Sequence, residues 1–392
     1  MSLRVLIGFA DALAAIESAW CLADDGFEVV AFARRGSRPA LARSGAVRVV
    51  GITAPEQDAD GSAADLAAVV RELSPAAVLP LDDHAVWLCD RACGEFPAPA
   101  GPGQPGGPAV AGPLGRLAAL ALDKRQQLKY AGAAGLAVPA TQDAAREEPP
   151  GQGPWMVKPA MAVELREGRL HRPAGRVAGS SSQLREVAAA IGGPAIAQPL
   201  IEGTGEGVFG LATRDGVAAW SAHRRIRMMN PRGSGSSACR SIPVDGELAG
   251  PVSDFIASTG WRGLFMIEFL RDASGRPWFM ELNGRAWGSM ALAIRRGYAY
   301  PSWAVRAALS PGFVPAEPEA PPHLTARHLG REVVHLGAVL ARGGAPRLAT
   351  LRDVVTPRRG VRWYNWRRDQ AGVFAADTWA TVRGQLRRRG SR

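Results

Sequence analysis

The apolar positions along the chain change period several times. Residues 3 to 9, LRVLIGF, form an apolar run, helical spacing follows from about Ala12 to Asp25, and after Gly26 comes a second run, FEVVAFA. Strand, helix and strand within so short a stretch predict a βαβ unit. A helix near residues 62 to 73 then leads to AAVLPL at 76 to 81, a third strand, with a further helix after Asp83. This alternation predicts a doubly wound parallel sheet. The loop after the first strand reads GFADAL and lacks G-x-G-x-x-G, so dinucleotide binding has no support there. Asp82 and Asp83 fall at a strand's carboxyl end, where such sheets bind ligands and where Asp also caps helices.

Residues 97 to 113, PAPAGPGQPGGPAVAGP, break the pattern and mark a connection out of the first domain. Helical spacing resumes near Leu114, runs through LDKRQQLKYAGAAG, and closes at Gly135 and Pro139. Strand patterns follow in PWMVKPA at 154 to 160, AIAQPLIEG at 195 to 203, VFGLAT and VAAWSAHRRIR, with a hairpin at 263 to 283. Strands with interposed helices predict two α+β subdomains after the α/β domain. Residues 320 to 392 carry the weakest pattern, and no internal repeat is evident.

Composition narrows the class. A chain of 392 residues, 47% hydrophobic and 21% charged, buries a large core in two or three domains. No apolar stretch of about 18 residues lacks charge or Pro, and the start enters a strand without a basic leader, so a cytoplasmic protein with no membrane segment is expected. Cys21, Cys89, Cys93 and Cys239 are too scattered for a disulfide framework or a zinc site and read as reduced, buried thiols. The net charge of +11 suggests nucleic acid until it is located: from Arg327 onward, fifteen arginines face only Glu332, Asp353, Asp369 and Asp377. The excess lies in the tail, which reads as a solvated, basic helical extension, and a nucleic-acid partner is not expected. Only Lys124, Lys129 and Lys158 are lysines among 47 basic residues. Where Arg has replaced Lys almost everywhere, a surviving Lys marks a place that needs a compact ammonium.

The chemistry concentrates in GLFMIEFLRDASGRPWFMELNGRAWGS. With a four-residue loop from Ala273 to Arg276, Asp272 pairs with Pro277 and Glu268 falls opposite Glu281. Asn283 joins the same face because strand side chains alternate. Two opposed carboxylates repel, and burying either one unpaired costs several kcal/mol. A divalent cation removes that cost, and two carboxylates with an amide oxygen are hard ligands suited to Mg²⁺.

Here the chain resembles the ATP-grasp carboxylate-amine ligases, whose second metal strand reads E-[IL]-N-x-R, as Glu281-Leu282-Asn283-Gly284-Arg285 does. The resemblance spans residue 1 to about 310. It implies a pre-ATP-grasp α/β domain over 1–113, a nucleotide-clamping subdomain over 114–200, a metal and catalytic subdomain over 201–310, and a basic extension over 311–392. Asp123-Lys124 and Val157-Lys158-Pro159 match the family's two lysine motifs, so Lys124 and Lys158 are expected on ATP phosphates. Gln198-Pro199-Leu200-Ile201-Glu202-Gly203 is similar to the adenine hinge, with the Pro199 carbonyl and the Ile201 amide turned to the base. Glu206 looks like the acid on the ribose, with Glu202 as its rival. The basic segment around His223, Arg224, Arg225, Arg227, Arg232 and Arg240, with Gly233 to Ser237 between, suits anions. The resemblance gives the acyl-phosphate role to Arg240 and Arg224 and a phosphate role to Arg285, and leaves His223 as a structural or phosphate-contacting residue.

The implied cofactors are ATP and two Mg²⁺ ions, with Mn²⁺ as a substitute. The implied reaction activates a carboxylate as an acyl phosphate and joins it to an amine, releasing ADP and phosphate, in a biosynthetic pathway. A phosphotransferase or carboxylase on the same scaffold, and a non-catalytic ATP- or RNA-binding protein, are the competing readings. The partners implied are a small-molecule carboxylate and amine, and a homodimer is compatible with the sequence.

Overall fold

The computed structural model describes residues 2–94, 96, 106–230, 235–342, 351–354, 356 and 359–390. The N-terminal part runs β1 (Arg4–Gly8), α1 (Ala15–Asp24), β2 (Glu28–Arg34), β3 (Val47–Ile52), α2 (Ala59–Leu73), β4 (Ala77–Pro80), α3 (Asp83–Cys93) and β5 (Ala109–Val110). All five strands pair in parallel in the order β3-β2-β1-β4-β5. This is the expected doubly wound sheet with two strands more than the apolar runs indicated. Its topological switch point lies between β1 and β4, and the β4 carboxyl end delivers Asp82 and Asp83 there. The two acids divide the roles that the sequence left open. Asp82 caps α3 by accepting from the Ala85 amide at 2.8 Å, and Asp83 is left for other partners.

The helix expected through LDKRQQLKY is two helices, α4 (Arg116–Leu122) and α5 (Lys124–Ala133). Asp123 interrupts them with extended backbone, φ −110° and ψ 105°, and its carboxylate accepts from the Arg125 and Gln126 amides to cap α5. Lys124 therefore opens a helix instead of lying inside one. A four-stranded sheet follows, β10-β7-β11-β6, from β6 (Gln142–Asp143), β7 (Trp155–Pro159), β10 (Arg176–Ala178) and β11 (Ala195–Pro199). The hairpin β8 (Glu164–Arg166) and β9 (Arg169–His171) projects from it, and α6 (Ser181–Ile191) packs on the face carrying Trp155, Val157 and Ala197.

The largest sheet has seven strands in the order β16-β15-β12-β13-β14-β17-β18. These are β12 (Thr204–Thr213), β13 (Gly216–Met228), β14 (Ser236–Ile242), β15 (Gly263–Arg271), β16 (Pro277–Asn283), β17 (Thr325–Arg327) and β18 (Val361–Trp363), with α7 (Gly246–Thr259), α8 (Met290–Ile294) and α9 (Tyr300–Leu309) on its faces. Alternation along the strands separates two apolar layers. Val208, Phe265, Ile267, Phe269, Phe279 and Leu282 pack with α4, α5 and α7 on one face. Phe209, Leu211 and Met266 pack with Trp287, Tyr300 and the first sheet on the other.

Two expectations are corrected here. Ser236, Ser237 and Arg240 lie in β14 and not in an anion-binding loop, while Arg232, Gly233 and Ser234 fall outside the described residues. The tail is not a solvated appendage: β17 and β18 extend the large sheet, and α10 (Leu329–Arg342) and α11 (Ala371–Gly390) pack on each other. Arg367 of the tail pairs with Asp24 of the first domain at 2.8 Å, while the tail's own Glu332 is fully buried against Arg227. All four cysteines are free and buried, and no described helix is long and apolar enough to cross a membrane.

Removing one member of a buried ion pair strands the other charge, so Glu332→Ala should cost about 3 kcal/mol. Denaturant unfolding checks this, and a loss under about 1 kcal/mol would mean that the tail is not bound into the fold as described.

Candidate active site

The hairpin β15–β16 sets the centre of the site. Glu268 and Glu281 are register partners, as expected, but the route differs from the one read from the turn. Arg271, not Asp272, pairs with Pro277, and this register alone would place Met280 opposite Glu268. A bulge at Met280 adds one residue to β16 and restores the pairing of the two acids. Asp272 organises the turn by accepting from Ser274, from the Arg276 amide and, at 2.8 Å, from the Trp278 indole.

Three cations surround the pair. Arg225 on β13 reaches over two intervening glycines to Glu268 at 2.5 Å. Gly205 is required for that reach, since a Cβ there would meet Arg225 Cδ at 2.7 Å. The Glu268 charge, acting against burial, raises the Arg225 pKa. Lys158 on β7 points its ammonium at the Met280 carbonyl at 3.4 Å. Burial pushes its pKa down to about 8, with Glu281 and Glu268 holding it up against the neighbouring Lys124. Arg285 donates to Asn283 Oδ1 at 2.9 Å and to Asp83 at 2.8 Å, and Arg172 from the β8–β9 hairpin meets the same Asp83 at 2.8 Å. Burial opposes ionisation of both Asp83 and Arg285, but each charge overcomes it for the other, so Asp83 lies well below and Arg285 well above its usual range. The hairpin is also tied to the first domain by backbone, Ala59 N to Gly168 O and Leu170 N to Pro55 O, each at 2.8 Å. Three parts of the chain thus converge on Asp83, a role that capping statistics could not reveal.

His223 stands in the Glu268 row, in register with Gly207, its ring edge-on to Phe209 at 4.6 Å. Burial, and then the Arg225 charge, pushes it down to about 3, so the ring is neutral. Neither nitrogen has a hydrogen-bond partner among the described residues.

The structure brings Lys124, Lys158, Glu268, Glu281, Asn283 and Arg285 together. It sets Glu206, Arg224 and Arg240 apart. Glu206 pairs with Arg224 and Phe269, and Arg224 with Arg240, which places them in the neighbouring row facing the α7 side of the sheet. There Glu206 is buried between Arg224 at 2.6 Å and Arg271 at 2.9 Å, and Arg240 is exposed. Roles on ribose and acyl phosphate would need these side chains on the opposite face. Glu202, the rival ribose acid, is exposed and has no ion pair among the described residues. In the segment expected as the hinge, the Leu200 amide donates to Pro154 O at 2.9 Å, and Gln198 donates to Thr141 Oγ1 at 2.8 Å, its own oxygen having no partner among the described residues.

No family profile matches this sequence, and no curated protein matches it. Solved structures do. The N5-carboxyaminoimidazole synthetase of Staphylococcus aureus, complexed with ADP, superposes with a TM-score of 0.62 at 12% identity, covering 83% of this chain and 82% of that one. The biotin carboxylase domain of the Hydrogenobacter thermophilus 2-oxoglutarate carboxylase, a dimer with MgADP, ADP and bicarbonate, gives 0.60 at 16%, covering 83% and 73%. The L-amino acid ligase of Bacillus licheniformis gives 0.54 at 16%, covering 81% and 75%. This chain has the ATP-grasp fold. Ligases and carboxylases that share it are among its structural neighbours.

The residues present at this site fit a divalent ion. The described residues hold no cluster of three or more His, Cys, Asp or Glu side chains suited to a metal, so an ion would rest on two carboxylates and the Asn283 oxygen. That set suits Mg²⁺, which keeps several waters and takes phosphate oxygens for the rest.

Glu281→Gln removes a carboxylate charge from this set while keeping shape, and ADP formation should fall by at least about a hundredfold with an unchanged melting temperature. Unaltered ADP formation in a calorimetrically normal variant would remove Glu281 from the metal set. The Lys158 ammonium should be lost as pH rises through about 8, so ATP affinity should weaken above that pH and Lys158→Arg should flatten the loss. A pH series of nucleotide titrations reads this directly, and an identical decline in both proteins would exclude Lys158 as its source.

Proposed function

We propose that this protein is an ATP-dependent ligase that activates a carboxylate as an acyl phosphate and joins it to an amine. The reading is carried by the register pairing of Glu268 with Glu281 beside Lys158 and Arg285, an arrangement suited to charge that moves between phosphate and carboxylate oxygens. Mg²⁺, when bound by Glu268, Glu281 and Asn283, would supply charge neutralisation at the phosphate oxygens. Lys158 and Lys124 would hold the phosphates from the side of the small sheet. Arg285, fixed by Asp83, would face the transferring phosphoryl group without having to be reoriented. A carboxylate oxygen of the substrate attacks the γ-phosphorus and the bond to the ADP oxygen breaks. The amine nitrogen then attacks the acyl carbon, the carbon–phosphate oxygen bond breaks, and the amine proton passes to solvent or to the departing phosphate. The neutral His223, in the same row and with neither nitrogen bonded among the described residues, would offer a hydrogen bond and no charge.

A carboxylase is the second reading, because a biotin carboxylase domain crystallised with MgADP and bicarbonate shares the fold at a TM-score of 0.60. In that case bicarbonate would take the place of the carboxylate. Incubation with Mg·ATP and pooled carboxylates and amines should release ADP and phosphate only when both pools are present. Release with bicarbonate that is indifferent to added carboxylates would favour the carboxylase. ADP without phosphate would indicate a phosphotransferase, and no turnover under any pool would leave a nucleotide-binding protein.

A further inference from the structure

Glu281 and Asn283 are joined through Leu282, and the backbone of Leu282 is gripped from outside the strand. β16 lies at the edge of the large sheet, so the groups it turns away from β15 meet no further strand among the described residues. The side chain of Gln127, one turn along α5 from Lys124, takes that place. Its oxygen accepts from the Leu282 amide at 2.9 Å and its nitrogen donates to the Leu282 carbonyl at 3.1 Å, pairing with both backbone groups as a neighbouring strand would. The same nitrogen donates to the Leu120 and Ala121 carbonyls at 3.0 and 2.9 Å, and the residue is only 1% exposed. Leu120 and Ala121 lie in the last turn of α4, whose carbonyls lack helical partners, so capping accounts for two of these bonds. Capping needs donors alone. It does not account for the oxygen on the Leu282 amide.

The same helix is fastened to the strand that carries the other lysine. The Lys124 amide donates to the Ala160 carbonyl at 2.9 Å, two residues beyond Lys158. The end of β16 is pressed against α4 as well: a Cβ on Gly284 would stand 2.4 Å from the Trp261 ring and 3.1 Å from Ala121 Cβ. The Leu282 side chain is buried among Leu120, Ala121 and Leu128, and alternation turns Glu281 and Asn283 to the opposite face. One backbone unit therefore sits between the two residues, and any shift of it moves both. Outer partners of this kind hold metal-binding side chains in place without touching the ion.

We propose that Gln127 is a positioning residue for the divalent-cation site, fixing Glu281 and Asn283 against each other and against Lys124 through the backbone of Leu282. This rests on the metal reading above. It gives α5 a part in metal binding beyond presenting its lysine.

The experiment titrates Mn²⁺ into the full-length protein with a nonhydrolysable ATP analogue, reading the free ion by electron paramagnetic resonance. Gln127→Met keeps the length of the side chain without its polar atoms. It should weaken Mn²⁺ binding about tenfold and raise the Mg²⁺ concentration for half-maximal ADP formation to the same degree, with turnover recovering in excess Mg²⁺. Leu128→Ala is the control, since Leu128 is buried in the same helix and core but carries no hydrogen-bonding group. It should lower the melting temperature and leave Mn²⁺ affinity unchanged. If Gln127→Met does not fold, Gln127→Asn, whose amide ends one methylene short of Leu282, is measured in its place with the same expected loss. Mn²⁺ affinity unaltered in the Gln127 variant, or lost equally in Leu128→Ala, overturns the assignment while leaving the metal site standing. Absence of Mn²⁺ binding by the unaltered protein with nucleotide fails the metal reading first, and this inference with it.

Discussion

Two carboxylates directly opposed on neighbouring strands set the conditions for everything around them. Glu268 and Glu281 are only partly exposed, so their repulsion is not screened as it would be on an open surface. The chain answers with cations drawn from three separate elements: Arg225 from β13, Lys158 from the small sheet and, through Asn283, Arg285 from the end of β16. Each requires its own support. Gly205 leaves room for Arg225, and Asp83 from the first domain holds Arg285. The same carboxylate also receives Arg172 from the β8–β9 hairpin, so the hairpin, the first domain and the end of β16 share one charge. Deleting that charge would loosen all three at once.

Strand alternation decides which candidates can take part in this site. Positions one residue apart lie on opposite faces, so Arg225 reaches Glu268 while Arg224 turns to Glu206 and the α7 side. The basic H-R-R segment is therefore split between a site and a structural ion-pair cluster, in which Arg271 joins Glu206 to Asp245. The tail follows the same logic. It adds β17 and β18 to the free side of β14 and is held by Arg227, which bonds both Glu332 and Asp353.

The hairpin and its two acids were legible because alternation and a turn-rich DASGRP segment are local signals. Even there, two local details cancelled: a turn one residue different from the expected one, and a bulge at Met280 that compensates for it. The first sheet was legible in its order of elements, yet β3, with its Gly51 and Arg48, lacked the continuous apolar run of its neighbours. What could not be read was parity and long-range pairing. The identity of Glu206 as an acid near the hinge is a sequence fact, but its face depends on the length of the loop before it. Asp83 meeting Arg285 spans 202 residues, and nothing in either neighbourhood encodes the other. The tail's Arg-rich composition suggested solvation because its ties to the rest of the fold, Arg367 to Asp24 and Glu332 and Asp353 to Arg227, join residues far apart in the chain.

The central claim is that Glu268, Glu281 and Asn283 form a divalent-cation site that replaces Arg225 as the charge partner of Glu268. A crystal structure with Mn²⁺ and a nonhydrolysable ATP analogue tests it most directly, since manganese is located by its anomalous scattering. The account predicts an anomalous peak about 2.2 Å from oxygens of Glu268, Glu281 and Asn283, within the range of hard oxygen ligation, and Arg225 displaced from Glu268 toward the phosphates. A nucleotide bound with its metal elsewhere, and Arg225 still on Glu268, would contradict it.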